Sequence, residues 1–213
     1  MTRAVLISLL LSPVAAAACG AAGAMHQATL AGQCAESDAA CAKRNPLAPL
    51  AVGARFYPEV AADAAGTAVP SLRLESAAPD VIAVDGDALV AHAPGASAVL
   101  ITTDDGSVVD FIHVWAEPVT SITLARRDGE RVAGTVGLAV GEDLALVPTA
   151  WHGAQRLAGE VAGTWTMTGD AKLAMLPDGA GDRRRLRARA PGKATVTVAL
   201  GDAHASIDVE VVP

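Results

Sequence analysis

The sequence predicts an all-β protein, two tandem β-sandwiches that follow a signal peptide and a flexible tether. Three features of the chain lead there. Leu89-Val-Ala-His-Ala-Pro-Gly-Ala-Ser-Ala-Val99 returns 97 residues later as Leu186-Arg-Ala-Arg-Ala-Pro-Gly-Lys-Ala-Thr-Val196, so one small unit is used twice. From Leu47 to the last residue, short β-prone runs are punctuated by Gly, Pro and Asp at strand-length intervals. Near the C-terminus the alternation has a period of two. Ala194, Val196 and Val198 face one way and Lys193, Thr195 and Thr197 the other, while Ile207, Val209 and Val211 oppose Ser206, Asp208 and Glu210. That is the pattern of strands packed on one face and wet on the other.

Taken in chain order, residues 1–18 read as a signal peptide, with Arg3 as its positive start, an apolar stretch from Ala4 to Ala18 and small residues at its end. Ala16-Ala17-Ala18-Cys19-Gly20 resembles the lipobox of bacterial lipoproteins, although Ala16 stands where such boxes usually carry Leu. The resemblance implies that Cys19 is lipidated and that the chain is anchored to a membrane; Gly20, in place of a retaining Asp, implies the outer membrane. Cleavage after Ala22-Gly23-Ala24, freeing Met25, is the rival. Either route takes the protein out of the cytoplasm.

Residues 19–46 are Ala-rich, lack strand alternation and close on Asn45-Pro46, which reads as a tether. Cys34 and Cys41 form an even pair in an oxidising compartment, and a small disulfide loop is expected there. A metal site is the alternative, but two thiols without a nearby His fall short of the usual four zinc ligands.

Residues 47–117 and 118–213 form the two repeats, with Glu117-Pro118 as the boundary. Leu50-Ala-Val-Gly53 recurs as Leu138-Ala-Val-Gly141, which shows that the copies share a frame. Each copy is expected to run strand, Pro-Gly turn, strand, because Pro presets one turn angle and Gly supplies the positive one. Ser121-Ile-Thr-Leu124 gives the second copy an opening strand that is weak in the first. Aromatic residues make up only 3% of the chain, so both cores must be built from small and branched side chains.

Trp165-Thr166, Asp170, Leu173-Ala-Met-Leu176, Ala188-Arg-Ala-Pro-Gly192, Ala194, Val196 and Val209-Glu-Val211 resemble the pattern of bacterial Ig-like domains of group 2, found in intimin- and invasin-like surface proteins. The first copy matches through Asp80-Val-Ile-Ala-Val84, Asp85-Gly86 and Ala91-His-Ala-Pro-Gly95, with Leu74 in place of the Trp. The resemblance covers about residues 47–213. It implies tandem Ig-like sandwiches in an extracytoplasmic setting, a core position for Trp165, and no shared active site.

No catalytic residues and no cofactor are expected: the chain has no Gly-x-Ser-x-Gly elbow, no His-Glu-x-x-His, no phosphate loop and no dinucleotide fingerprint. His26, His92, His113, His152 and His204 are scattered and read as solvated strand or loop residues. The net charge of −7 argues against nucleic acid as a partner. Asp85-Gly-Asp87 and Asp104-Asp-Gly106 put carboxylates in loops, as Ca²⁺ sites do, but Asp and Gly are also what hairpin turns use.

Two candidate surfaces remain. If Leu186 and Ala188 point inward, Arg185, Arg187 and Arg189 form an exposed ladder that either guards a sheet edge or grips anionic headgroups or envelope polysaccharide. If Ile112 and Val114 match Ile207 and Val209, then Phe111, His113 and Trp115 form an outward aromatic row. The row is expected to dock against the second domain or the tether, with a partner or glycan contact as the alternative. Trp151, beside His152 and Gly153, is expected in a loop. The leading functional expectation is a non-enzymatic envelope lipoprotein acting as a structural or interaction module; the second is a carbohydrate- or ligand-binding accessory protein.

Overall fold

The computed structural model describes residues 21–22, 28–32, 48–62, 71–179 and 182–213. The segment read as a signal peptide, Cys19, and the expected Cys34/Cys41 loop lie outside the described residues. Every regular element among the described residues is a strand. The first half carries β1 (Ala21–Ala22), β2 (Ala28–Gly32), β3 (Leu50–Ala51), β4 (Ala54–Phe56), β5 (Pro58–Ala62), β6 (Leu72–Ser76), β7 (Ile82–Asp85), β8 (Ala88–Ala91), β9 (Gly95–Thr103) and β10 (Val108–Glu117). The second carries β11 (Ser121–Ala125), β12 (Arg131–Val132), β13 (Thr135–Ala139), β14 (Asp143–His152), β15 (Gln155–Arg156), β16 (Glu160–Val161), β17 (Thr164–Gly169), β18 (Lys172–Pro177), β19 (Arg184–Ala190), β20 (Gly192–Leu200) and β21 (Ala203–Val212).

Each half packs two sheets face to face. In the first, β3-β10-β9-β6 meets β4-β8-β7, and Leu50, Val99, Ile101 and Ile112 from one sheet bury against Phe56, Ile82 and Leu89 from the other. In the second, β13-β21-β20-β17 meets β12-β11-β14-β19-β18, with Val196, Val198, Ile207 and Val209 against Leu124, Leu144, Leu146 and Leu186. The alternation read from the C-terminal strands is therefore the inward face of β20 and β21. Leu74 and Trp165 hold equivalent places, since Leu74 pairs with Ile101 on β9 and Trp165 with Val198 on β20.

The Ala-Pro-Gly segments do not close hairpins. β8 and β9 belong to different sheets, as do β19 and β20, so each segment is a corner at which the chain crosses the sandwich. Gly95 and Gly192 take φ of +141° and +144° there, a region strained for any residue with a Cβ. The strand before each corner is tied to the Leu-Ala-Val-Gly repeat. Gly53 N–H donates to the Ala91 carbonyl and Gly141 N–H to the Ala188 carbonyl, both at 2.8 Å. β3 and β13 run parallel to the last strand of their own unit, and each then hands the chain to the opposite sheet.

The tether reading needs correction. Ala28–Gly32 forms β2, which pairs with β5 just as β11 pairs with β14. Ala28 and Leu30 are 2% and 1% exposed, and the Ala28 N–H donates 3.0 Å to the buried carboxylate of Asp110. The opening strand of the first unit comes from this segment. Its apolar positions are too few and too small to stand out in an Ala-rich background.

The units are also joined by main chain beyond Glu117-Pro118. β16 adds to β4 with Glu160 opposite Arg55 and Val161 opposite Ala54. Ala51 N–H donates to Ala158 O at 3.0 Å, and Ala158 N–H to Pro49 O at 2.8 Å. Ala51, Ala54, Ala150, Leu157 and Val161 bury together at this junction. Burying Leu157 and Val161 stabilises it by ~2 kcal/mol each. Gly159 has φ +92°, and a Cβ on it would lie 2.8 Å from the Ala54 Cβ.

Trp165 is half-buried against the second core and held by a polar lock. Its indole N–H donates 2.9 Å to Asp182 Oδ2, which also accepts the Gly163 N–H at 2.8 Å. Arg184 pairs with the other carboxylate oxygen at 2.9 Å and lies 6.0 Å from the indole centroid. Burial raises the Asp182 carboxyl above its ordinary range, opposed by the Gly163 and Trp165 donors and by the Arg184 charge.

Three outcomes are expected in urea unfolding. Gly192→Ala would place a Cβ 2.8 Å from the Ala171 backbone, whereas Gly95→Ala would meet only a Val81 methyl at 3.3 Å. The first should cost about 3 kcal/mol and the second about 1 kcal/mol; equal losses would contradict the packing at the corner. Asp182→Ala leaves three part-buried donors, from Gly163, Trp165 and Arg184, without their acceptor and should cost about 3 kcal/mol. Because the folded Asp182 holds its proton more tightly than the unfolded one, its contribution is greatest below the ordinary carboxylate value and is lost as pH rises past the folded value. The stability of the parent relative to Asp182→Asn should therefore fall as pH rises from the ordinary carboxylate value through the raised folded one; a rise would reverse the sign.

Candidate functional site

The aromatic row is present on β10. Asp110, Ile112 and Ala116 point into the sandwich, and strand alternation turns Phe111, His113 and Trp115 to the other face. Phe111 and His113 meet edge to face with centroids 5.5 Å apart, and His113 and Trp115 lie 6.0 Å apart at 49°. From Phe111 to Trp115 the row spans about 13 Å. Among the described residues the expected docking against the second domain is not seen: His113 is exposed and Trp115 is 46% exposed. The side chains that fill the junction come from β3, β4, β14 and the segment around β16 instead.

Arg185, Arg187 and Arg189 do form an exposed ladder, because Leu186 and Ala188 are 0% and 1% exposed on the opposite face of β19. Its reading as an edge guard is wrong. β19 is hydrogen-bonded to β14 on one side and β18 on the other, so it has no edge to protect. Arg187 reaches Asp143 at 3.6 Å, a loose solvent-facing pair.

The acidic turns are occupied by local partners. Asp85 pairs with Arg55 at 2.7 Å and Asp104 with Arg73 at 2.8 Å. Asp105 accepts the Thr103 hydroxyl and the Ser107 N–H, which hold its carboxyl below the ordinary range. Among the described residues no three His, Cys, Asp or Glu side chains gather as metal ligands would. His92, His113 and His204 are exposed, and His152 shares a 2.9 Å contact with the Pro118 carbonyl. His26 lies outside the described residues.

Trp151 is in β14 and not in a loop. Its indole N–H donates 2.9 Å to Thr123 Oγ1, which holds the ring against the outer face of the six-stranded sheet. There it lines a hollow of about 250 Å³ with Thr123, Thr149, Arg126, Arg131 and Arg156. Sequence reasoning missed this grouping, although one signal was available. Arg126-Arg-Asp-Gly-Glu-Arg131 is an Asp-Gly turn between short strands, and the hairpin it closes sets Arg131 opposite Ala125, on the face of β11 that also carries Thr123.

No protein-family model matches the chain, and no curated protein matches it. Among solved structures the chain is similar to domains 4 and 5 of the S-layer protein SbsC, with 16% identity, 88% of this chain and 98% of that one covered, and a TM-score of 0.33. It is similar to invasin, a bacterial integrin-binding protein, with 15% identity, 87% and 40% coverage and a TM-score of 0.33. It is also similar to extracellular domains 3–5 of Drosophila OTK, with 14% identity, 78% and 58% coverage and a TM-score of 0.26. The sheets themselves make this an all-β chain of two tandem β-sandwiches, the architecture that the Ig-like resemblance implies.

Proposed function

We propose that the protein is an exported, non-enzymatic module of the cell envelope, lipid-anchored through Cys19 to the outer membrane, whose two sandwiches form a stiff spacer that carries an interaction surface. The junction supports this reading best. β16 extends a sheet of the first unit by main-chain pairing, and Gly159 lets the two backbones approach as closely as they do. A flexible linker would leave the units free to reorient; paired backbone hands the orientation of one to the other. Such a spacer suits a protein that must hold a surface away from a membrane. Its partners would be another envelope protein or a polysaccharide.

A second reading is a carbohydrate- or ligand-binding accessory protein that uses Phe111, His113 and Trp115 or the arginine ladder. The 46% exposure of Trp115 favours it, because large aromatic side chains left open in a row mark contact surfaces. The two readings are compatible, with the spacer presenting the row.

Two measurements bear on this. Mass spectrometry of the mature N-terminus should find a lipid-modified Cys19, and a free Met25 would remove the anchor. Gly159→Val should leave both cores folded but loosen their relation, seen in small-angle scattering as a broader distribution of shapes and in limited proteolysis as new cleavage near residues 157–162. An unchanged scattering profile with unchanged protease resistance would remove the stiff junction from the proposal.

A further inference from the structure

The hollow beside Trp151 has the chemistry of a site for a charged sugar. Pairing on β11 and β14 sets its walls: Arg131 of β12 lies opposite Ala125 of β11, and Arg156 of β15 lies opposite Trp151 of β14, so these side chains share the outer face of the sheet. Its floor is small and branched, from Thr123, Val147 and Thr149. At about 250 Å³ it takes roughly one ring, below the range of whole drug-sized ligands. Trp151 gives it a rigid apolar plate, since the hydrogen bond to Thr123 holds the indole in place.

The charges around the hollow are unequal. Arg126, Arg131 and Arg156 face one lining carboxylate, Asp128, whose Oδ1 already accepts the Glu130 N–H at 3.0 Å within its own turn. Arg126 meets Glu130 at 3.5 Å in an exposed pair that solvent weakens. Among the described residues Arg131 and Arg156 have no ion-pair partner, and the Arg156 Nε is buried with no hydrogen bond at all. A guanidinium with a buried, unpaired donor is ready for an acceptor that the protein does not supply. The same sheet face continues to Arg185, opposite Ala145, two residues along β14 from Val147 and about 7 Å away.

We propose that this hollow binds one residue of an acidic polysaccharide, a sugar bearing a carboxylate or sulfate, with the ring against Trp151 and the anion on Arg131 and Arg156. The following charges of the same chain run along Arg185, Arg187 and Arg189. An isolated phosphate would use the arginines but not the indole, whereas the C–H face of a sugar ring matches an apolar aromatic plate. The site is separate from the row of Phe111, His113 and Trp115 and does not depend on what that row contacts.

The test is titration of the full mature chain with polygalacturonate, with heparin as the sulfated probe, and with neutral dextran and phosphatidylglycerol vesicles for comparison, read by tryptophan fluorescence and calorimetry. Polygalacturonate or heparin should bind and dextran should not, with affinity falling as salt rises. Trp151→Ala and the double variant Arg131→Gln/Arg156→Gln should each weaken binding by about tenfold or more. Trp151→Phe keeps an aromatic plate should the Ala variant fail to fold, and should bind better than the double Gln variant. Phe111→Ser/Trp115→Ser should leave this binding within about twofold, which separates the site from the aromatic row. The proposal is overturned if neither polyanion binds, if the Trp151 and arginine variants bind as the parent does, or if vesicles bind equally well and Trp151→Phe and Trp151→Ala do not change it.

Discussion

Both units are organised around one contact, in which the glycine that ends Leu-Ala-Val-Gly donates its N–H to the carbonyl of an alanine in the strand before Ala-Pro-Gly. It is Gly53 to Ala91 in one copy and Gly141 to Ala188 in the other, at 2.8 Å in each. The bond joins the two places where the chain changes sheets. On one side β3 or β13 leaves its parallel partner; on the other the chain turns through a glycine at φ of +141° or +144°. With both crossings held, the inward positions of facing sheets come into register. Leu89 and Leu186, Val99 and Val196, and Ile101 and Val198 are all 0% exposed. Cores with almost no aromatic filling need that register, because small side chains cannot bridge a misaligned gap.

The copies diverge outside this frame. The second has a complete opening strand in β11 and a tryptophan on β17, fastened by Asp182 and Arg184. The first takes its opening strand from Ala28–Gly32 and secures it through the Ala28 N–H on Asp110. Leu74 fills the tryptophan's place with less volume. The surfaces diverge too. The first unit shows aromatic side chains on β10 where the second has Ser206, Asp208 and Glu210 on β21. The second shows arginines on the outer face of its larger sheet, in a chain whose net charge is −7. The exposed aromatic and arginine side chains therefore sit where the repeats differ, on faces that the shared core leaves free to vary.

Much of this was legible in the residues. Strict alternation named the inward faces of β20 and β21, the match of Ile112 to Ile207 turned the aromatic row outward, and Leu186 and Ala188 marked the hidden side of the arginine ladder. These are one-strand properties, and a period of two is enough to read them. The errors share a cause. The edge role given to Arg185, Arg187 and Arg189, the loop given to Trp151, the docking expected of Trp115 and the tether given to Ala28–Gly32 each concern which strand or surface lies beside another.

By itself, the sequence determined the strand content, the twofold repeat, the inward side of the principal strands and the special glycines, because each depends on local alternation or on the conformational freedom of one residue. Tertiary structure alone decided that Ala-Pro-Gly is a crossing between sheets, that β2 completes the first unit, that β16 joins the two units, and that Trp151 shares a hollow with Arg126, Arg131 and Arg156. Pairing between distant strands is a property of two segments at once, selected by the burial and hydrogen bonds that both gain, and no single segment carries it.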